Sequence, residues 1–145
     1  MKIDGRCHCG YITYEADADP ALAAICHCTD CQTFSGAAFR GNVPVQADKF
    51  HMTGGEPTFY VKTAESGNKR KQAFGPRCGT SIYATSVEDH PKVFGLRLGA
   101  IKQRDQFVPK TQIWTRSEQP WVTTLAAIPK VEMQGPMTAP AAPSR

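Results

Sequence analysis

The chain has no long hydrophobic run. Nothing in it approaches the roughly 18 apolar residues that a bilayer-spanning helix needs, and the start, MKIDGRCHCGYI, lacks the apolar stretch of a secretory signal. A cytoplasmic location is therefore expected. An excess of charge of one sign is missing too: 17 Lys and Arg against 13 Asp and Glu leave +4, too little and too scattered to call for nucleic acid or a membrane as partner. Only Lys69, Arg70 and Lys71 cluster, and they read as a strand end or loop. No long amphipathic helix and no solenoid-type repeat is apparent, which sets helical bundles and repeat arrays aside. At 145 residues there is room for one domain. With 41% hydrophobic and 21% charged residues the composition is that of an ordinary folded chain.

What is present is a series of short β-branched and aromatic segments separated by turn residues. They run over 11–16, 22–28, 37–45, 50–53, 57–63, 70–74, 80–85, 92–101 and 111–115. Gly54-Gly55, Gly67-Asn68 and Asp89-His90-Pro91 supply turns between them. The expected class is mainly β, with a single short helix near Asp30 to Phe34. From Pro129 the composition shifts to KVEMQGPMTAPAAPSR, rich in proline and alanine, so a domain over 1–128 and a flexible tail over 129–145 are expected.

The chemistry lies in six cysteines at 7, 9, 26, 28, 31 and 78. In a chain without a secretion signal, such spacing points to metal before disulfides. Neighbours one residue apart can scarcely be bridged to each other without strain. In an extended strand residues i and i+2 share a face, so both thiolates of a Cys-x-Cys can reach one ion while the middle residue points away. His8 and His27 are accordingly read as non-ligands. The run CHCTDC puts Cys26, Cys28 and Cys31 within six residues, and soft thiolates select zinc over magnesium or calcium. Cys7 and Cys9 need a partner from elsewhere, and Cys78 is the remaining thiol. Three thiolates on one segment suit a catalytic zinc with an open position; with a fourth residue they equally suit a closed structural site, and spacing leaves both open.

GRCHCGYITYE, CHCTDCQTFSG, FGPRCGTSIYA and PKTQIWTRSEQPW together resemble the glutathione-dependent formaldehyde-activating enzyme family, which includes the centromere protein V domain. The likeness spans most of residues 3–121. It implies an Mss4-like, or β-tent, fold. It further implies that Cys26, Cys28 and Cys31 hold a catalytic zinc, and that Cys7, Cys9 and Cys78 belong to a structural one. One element departs from the family pattern. Where the family has Phe-Cys-x-x-Cys-Gly, this chain has Phe74-Gly75-Pro76-Arg77-Cys78-Gly79, so the second site is a ligand short at Gly75. Water, an anion or His8 would have to complete it, or it stays empty. Arg6 and Arg77 flank its ligands in sequence and could offset thiolate charge, although they read first as surface arginines.

The activity implied by the resemblance is that of a carbon-sulfur lyase. A thiol such as glutathione, held as thiolate by zinc, joins formaldehyde or a related aldehyde to give S-(hydroxymethyl)glutathione or its analogue. Arg40 and the Ser35-Gly36 turn are the nearest candidates for the carboxylates of glutathione, with a plain strand-edge arginine as the simpler reading of Arg40. Asp30 reads as the cap of the short helix, and Phe59, Tyr60, Phe94 and Trp114 as core. Two other functions stay in view: a non-catalytic binding module stabilised by zinc, and, more weakly, a redox protein using Cys28 and Cys31 without the βαβ context that such pairs usually have.

Overall fold

Alternation of buried and exposed residues along short strands shapes the molecule. The computed structural model describes residues 1–135; the last ten residues of the expected tail, 136–145, lie outside it. Ten strands are described: β1 (Lys2–Arg6), β2 (Thr13–Asp17), β3 (Ala24–Cys26), β4 (Arg40–Gln46), β5 (Phe50–Gly54), β6 (Thr58–Thr63), β7 (Lys69–Phe74), β8 (Ser81–Ser86), β9 (Val93–Arg97) and β10 (Thr111–Ile113). One α-helix, α1 (Thr29–Ser35), interrupts them, and a 3-10 run covers Pro120–Ala127. The mainly β expectation holds. The first strand and the 3-10 run went unread in the sequence, β1 because Gly5 breaks its apolar pattern.

The strands form two sheets. The smaller is ordered β1-β2-β5 and the larger β10-β3-β4-β9-β8-β7-β6, with every pair antiparallel except β10 with β3. Ile3, Tyr14 and Ala16 of the small sheet pack against Val43, Val45, Leu96 and Ile82 of the large one. Phe50 ties the two layers together, with its ring 5.5 Å from Tyr14, 5.3 Å from Tyr83 and 4.8 Å from Phe94. Of the four aromatics read as core, only Phe94 joins this cluster. Phe59 and Tyr60 lie on the edge strand β6 and Trp114 follows the edge strand β10, and all three are exposed, because an edge strand has no outer neighbour to cover it.

Register decides what the other face of the large sheet carries. Cys26 pairs with Arg40, Asn42 with Arg97, Gln72 with Ala84, and Tyr60 with Gln72. Directly paired residues share a face, as do residues two apart. Since Val43 pairs with Leu96 on the core side, Cys26, Arg40, Asn42, Arg97, Gln72 and Tyr60 fall together on the opposite side. A row of polar groups is thus built across five strands.

Gly5 pairs with Tyr14 across β1 and β2, and a Cβ placed there would overlap the Tyr14 ring. Gly5→Ala should therefore cost about 1–3 kcal/mol through overpacking, read as a lower urea midpoint with unchanged slope. Gly99→Ala, where a new Cβ meets nothing within 4 Å, should leave the midpoint within error.

Candidate metal centres and the adjoining cavity

The six thiols gather into two groups of three, Cys26/Cys28/Cys31 and Cys7/Cys9/Cys78, with the sulfurs of each within 4.8 Å of one another. Thiolates around one tetrahedral zinc at ~2.3 Å would stand ~3.8 Å apart, and the Cys7 and Cys9 sulfurs are 3.6 Å apart. The donor sets therefore fit a soft divalent ion. All six cysteines are free thiols. Neither His8 nor His27 belongs to either group.

The first group is assembled at a strand-to-helix junction. Cys26 ends β3, and Cys28 is the N-cap of α1, where its sulfur accepts from the Cys31 amide at 3.3 Å. An N-terminal helical turn aims its free N–H groups at negative charge, which suits thiolates. Cys28, rather than Asp30, is thus the cap; Asp30 sits in the first turn and pairs with Lys62 at 2.7 Å. Gly36, at φ +64, ends the helix in the left-handed conformation that glycine adopts freely. Cys28 lies beyond the last residue of β3 but keeps an extended backbone, at φ −61 and ψ 152, so the extended Cys-x-Cys geometry carries Cys26 and Cys28 into one group and the first turn of α1 brings in Cys31. Hydrogen bonding with Cys26, helped by the charge of Arg40, holds the Cys31 thiol down to about 5, while the same bond with Cys31 and then burial push Cys26 up.

The segment from Lys110 to Gln119 locks this junction in place. The His27 amide donates to the Ile113 carbonyl at 3.0 Å, and His27 Nε2 faces Gln112 Oε1 at 2.8 Å. Gln32 Nε2 donates to the carbonyls of His27 and Ser117, and its Oε1 accepts from Gln119. His27 is fully buried, so its ring serves this packing and lies away from the sulfurs.

The second group forms where two loops meet. Cys7 and Cys9 follow β1 in a turn, outside an extended strand, and the Ile12 amide donates to Cys7 Sγ at 3.2 Å. Cys78 lies in the turn closed by the Gly79 amide donating to the Gly75 carbonyl at 2.8 Å. The Thr80 hydroxyl, 3.2 Å from its sulfur, and nearby amides hold Cys78 down to about 6. Arg6 spends its guanidinium on the carbonyls of Cys7 and His8, bracing the loop, and Arg77 stacks 3.8 Å from the Tyr11 ring centroid. Both are exposed, as expected of surface arginines, and both also make contacts within the loops. Gly75 is not among the glycines at positive φ. A Cβ there would lie 3.2 Å from Cys78 Sγ and 3.6 Å from Cys7 Sγ, so a side chain at 75 would start beside the sulfurs.

A cavity of about 790 Å³ opens on the polar face of the large sheet; no cysteine lines it, and its wall takes in Asp30 and Arg40, which neighbour the first group, and Gly79, which follows Cys78 of the second. α1 contributes Thr33 and Phe34 to its wall, β6 contributes Tyr60, and Arg40, Gln72 and Arg97 come from the polar face of the large sheet. Arg40 is 7% exposed and so is no strand-edge arginine: β3 and β9 flank β4 on both sides. Burial and the neighbouring Arg40 lower Arg97 to about 9. Gln72 and Asn42 had no signature in the sequence, and the one that Arg97 had, an arginine inside the apolar GLRLG, was passed over.

The two sheets are those of a β-tent fold, with two trithiol groups that could each hold a metal ion. Residues 2–117 match the family described as glutathione-dependent formaldehyde-activating enzyme, and the chain belongs to it. It is similar in fold to the crystal structure of a Rhodobacter sphaeroides protein, with a TM-score of 0.57 and 18% identity over 75% of this chain and 98% of that one. No curated protein matches the sequence.

Because Gly75 stands where a fourth donor would begin, Gly75→Cys should tighten metal at the second group. The chelator concentration that strips the second equivalent of zinc should rise about tenfold or more, and the thermal midpoint should rise with zinc present and not without it. Unchanged zinc affinity with a lower midpoint would show instead that the tight contacts of the new Cβ dominate.

Proposed function

We propose that Cys26, Cys28 and Cys31 are the ligands of a catalytic zinc and that the protein is a carbon-sulfur lyase of the S-(hydroxymethyl)glutathione synthase type. It would join a small thiol such as glutathione to formaldehyde or a related aldehyde. The observation that carries this reading is a trithiol group with no fourth protein donor among the described residues, whose neighbours Asp30 and Arg40 line a large open cavity. On the same reading, Cys7, Cys9 and Cys78 hold the structural zinc with three thiolates, the fourth corner being left to solvent or an anion. Thiols kept free in two clusters also favour a reducing, cytoplasmic setting.

When bound, zinc supplies a positive charge that keeps an incoming thiol deprotonated at neutral pH. The chain's own groups do the rest. The α1 turn and the Arg40 guanidinium present positive charge to the sulfurs, so an added thiolate is accommodated without unbalanced negative charge. Phe34 and Tyr60, whose rings are 6.1 Å apart, give one side of the cavity an apolar wall. In the net reaction the thiolate sulfur forms a bond to the carbonyl carbon, the carbonyl π pair becomes an alkoxide, and the proton the thiol released returns to that oxygen. The reverse step cleaves the same carbon-sulfur bond. No protein nucleophile is consumed.

Cys31→Ser should lower zinc content by one equivalent. It should reduce thiol-aldehyde turnover to the spontaneous rate while leaving the β-sheet circular dichroism in place. A wild type no faster than the uncatalysed reaction with any thiol tried would sink the enzyme reading and favour a zinc-stabilised binding module.

A further inference from the structure

Arg40 and Arg97 are each only 7% exposed, and none of the five ion pairs among the described residues involves either. Their shared partner is a neutral amide: Gln72 Oε1 accepts from Arg97 Nη2 at 2.8 Å and from Arg40 Nη2 at 3.5 Å. Asn42 Oδ1 accepts from Arg97 Nη1. The Nε of each guanidinium is buried and has no partner. Two buried like charges that share one neutral acceptor are costly unless an anion joins them. Both guanidiniums line the cavity. The third cation on its wall, Lys62, is already taken up by Asp30.

The sulfurs of Cys26 and Cys31 are the nearest negative groups, and they answer only part of this need. Arg40 pairs across the strands with Cys26, and the fields of both sulfurs reach Arg97. With a divalent ion in place, three thiolates carry a net charge of about −1, which leaves one of two guanidinium charges unmatched. A planar oxyanion with two oxygens is the group that fits a guanidinium fork best. Position narrows the choice further. Because Arg40 stands directly beside the sulfurs, an anion resting on it lies next to the atom that reacts there. In glutathione each carboxylate is separated from the sulfur by a long run of bonds. In a short acid the carboxylate adjoins the reacting atom.

We propose that Arg40 and Arg97, held by Gln72 and Asn42, form a carboxylate-binding subsite beside Cys26 and Cys31, so that one reactant is a short carboxylate-bearing compound. The carboxylate arrives either on the carbonyl partner, as in a 2-oxo acid of the glyoxylate type, or on the thiol partner, as in mercaptoacetate. This rests on the thiol-carbonyl reading above for the reaction, and on the arginines alone for binding.

Calorimetric titration of the zinc-loaded full chain separates these sources. Glycolate is compared with glycolamide for the carbonyl side, and mercaptoacetate with 2-mercaptoethanol for the thiol side. In at least one pair the acid should bind about tenfold tighter or more than its uncharged counterpart, as charge-assisted hydrogen bonds require. Arg40→Met should erase that preference and Arg40→Lys should keep part of it. Equal binding of acid and uncharged probe in both pairs would overturn the subsite, even if Arg40→Met failed to fold. So would a preference that Arg40→Met leaves intact. Turnover of formaldehyde with a simple thiol but no acid preference would remove the subsite and keep the enzyme reading; acid preference without turnover of any pair would do the reverse.

Discussion

Crowded sulfur is the constraint on which the site depends. Three thiols within 4.8 Å of one another cannot all ionise without positive charge among them. The proton affinities of the first group show the tension, with Cys31 held low at the expense of a raised Cys26. Only a cation at the centre lets all three ionise together. The surrounding fold supplies what the sulfurs need from outside: amide N–H groups at the start of α1, and guanidinium charge from the neighbouring strand β4. Metal affinity and sheet register are therefore linked. A slip of one residue between β3 and β4 would send Arg40 to the core face and strip the sulfurs of their counter-charge.

Sheet architecture explains why the chemistry sits where it does. The large sheet has one face committed to the core, through Val43, Leu96 and their neighbours, and the other free. Strict alternation then collects the polar members of five strands on that free face with no further instruction. β3 is short and flanked by β10 and β4, so its end, carrying Cys26, is fixed by pairing on both sides. The parallel contact with β10 draws in the Gln112 to Gln119 segment, whose amides grip His27 and Gln32. A metal knuckle on a loop would otherwise be free to open; here it is held by pairing with β4, which follows closely in sequence, and with β10, about 85 residues further on.

The strand pattern and the cysteine partition were legible because each depends on local spacing. Alternation is visible within five or six residues, and thiols clustered as Cys-x-Cys-x-x-Cys announce a shared ion wherever the backbone goes. The route to convergence was legible only in part: Cys26 and Cys28 are extended as their spacing suggests, with Cys28 also capping a helix, whereas Cys7 and Cys9 meet in a turn. Arg40 was read as a strand-edge residue since its flanking strands come from residues 24–26 and 93–97, far apart in sequence. Gln72, Asn42 and Arg97 were missed for the same reason. One signal was available. Arg97 lies in GLRLG, an arginine inside an apolar strand, and a charge in such a place needs a partner that the local sequence does not supply.

The two trithiol groups share a donor set and differ in surroundings, and the roles proposed for them rest on that difference. Near Cys7, Cys9 and Cys78 the arginines are otherwise engaged, Arg6 with carbonyls and Arg77 with the Tyr11 ring. Cys9 and Cys78 are exposed, so water screens the negative charge and no buried cation is required. Near Cys26, Cys28 and Cys31 two sulfurs are buried, screening is weak, and two buried guanidiniums stand close by with unused donors. A site whose only task was to hold an ion would gain nothing from that surplus of positive charge, which is unfavourable until something anionic enters. The surplus is explained if the resting site is built for a state with more negative charge than its own ligands provide, which is the state reached when a thiolate or a carboxylate has joined it.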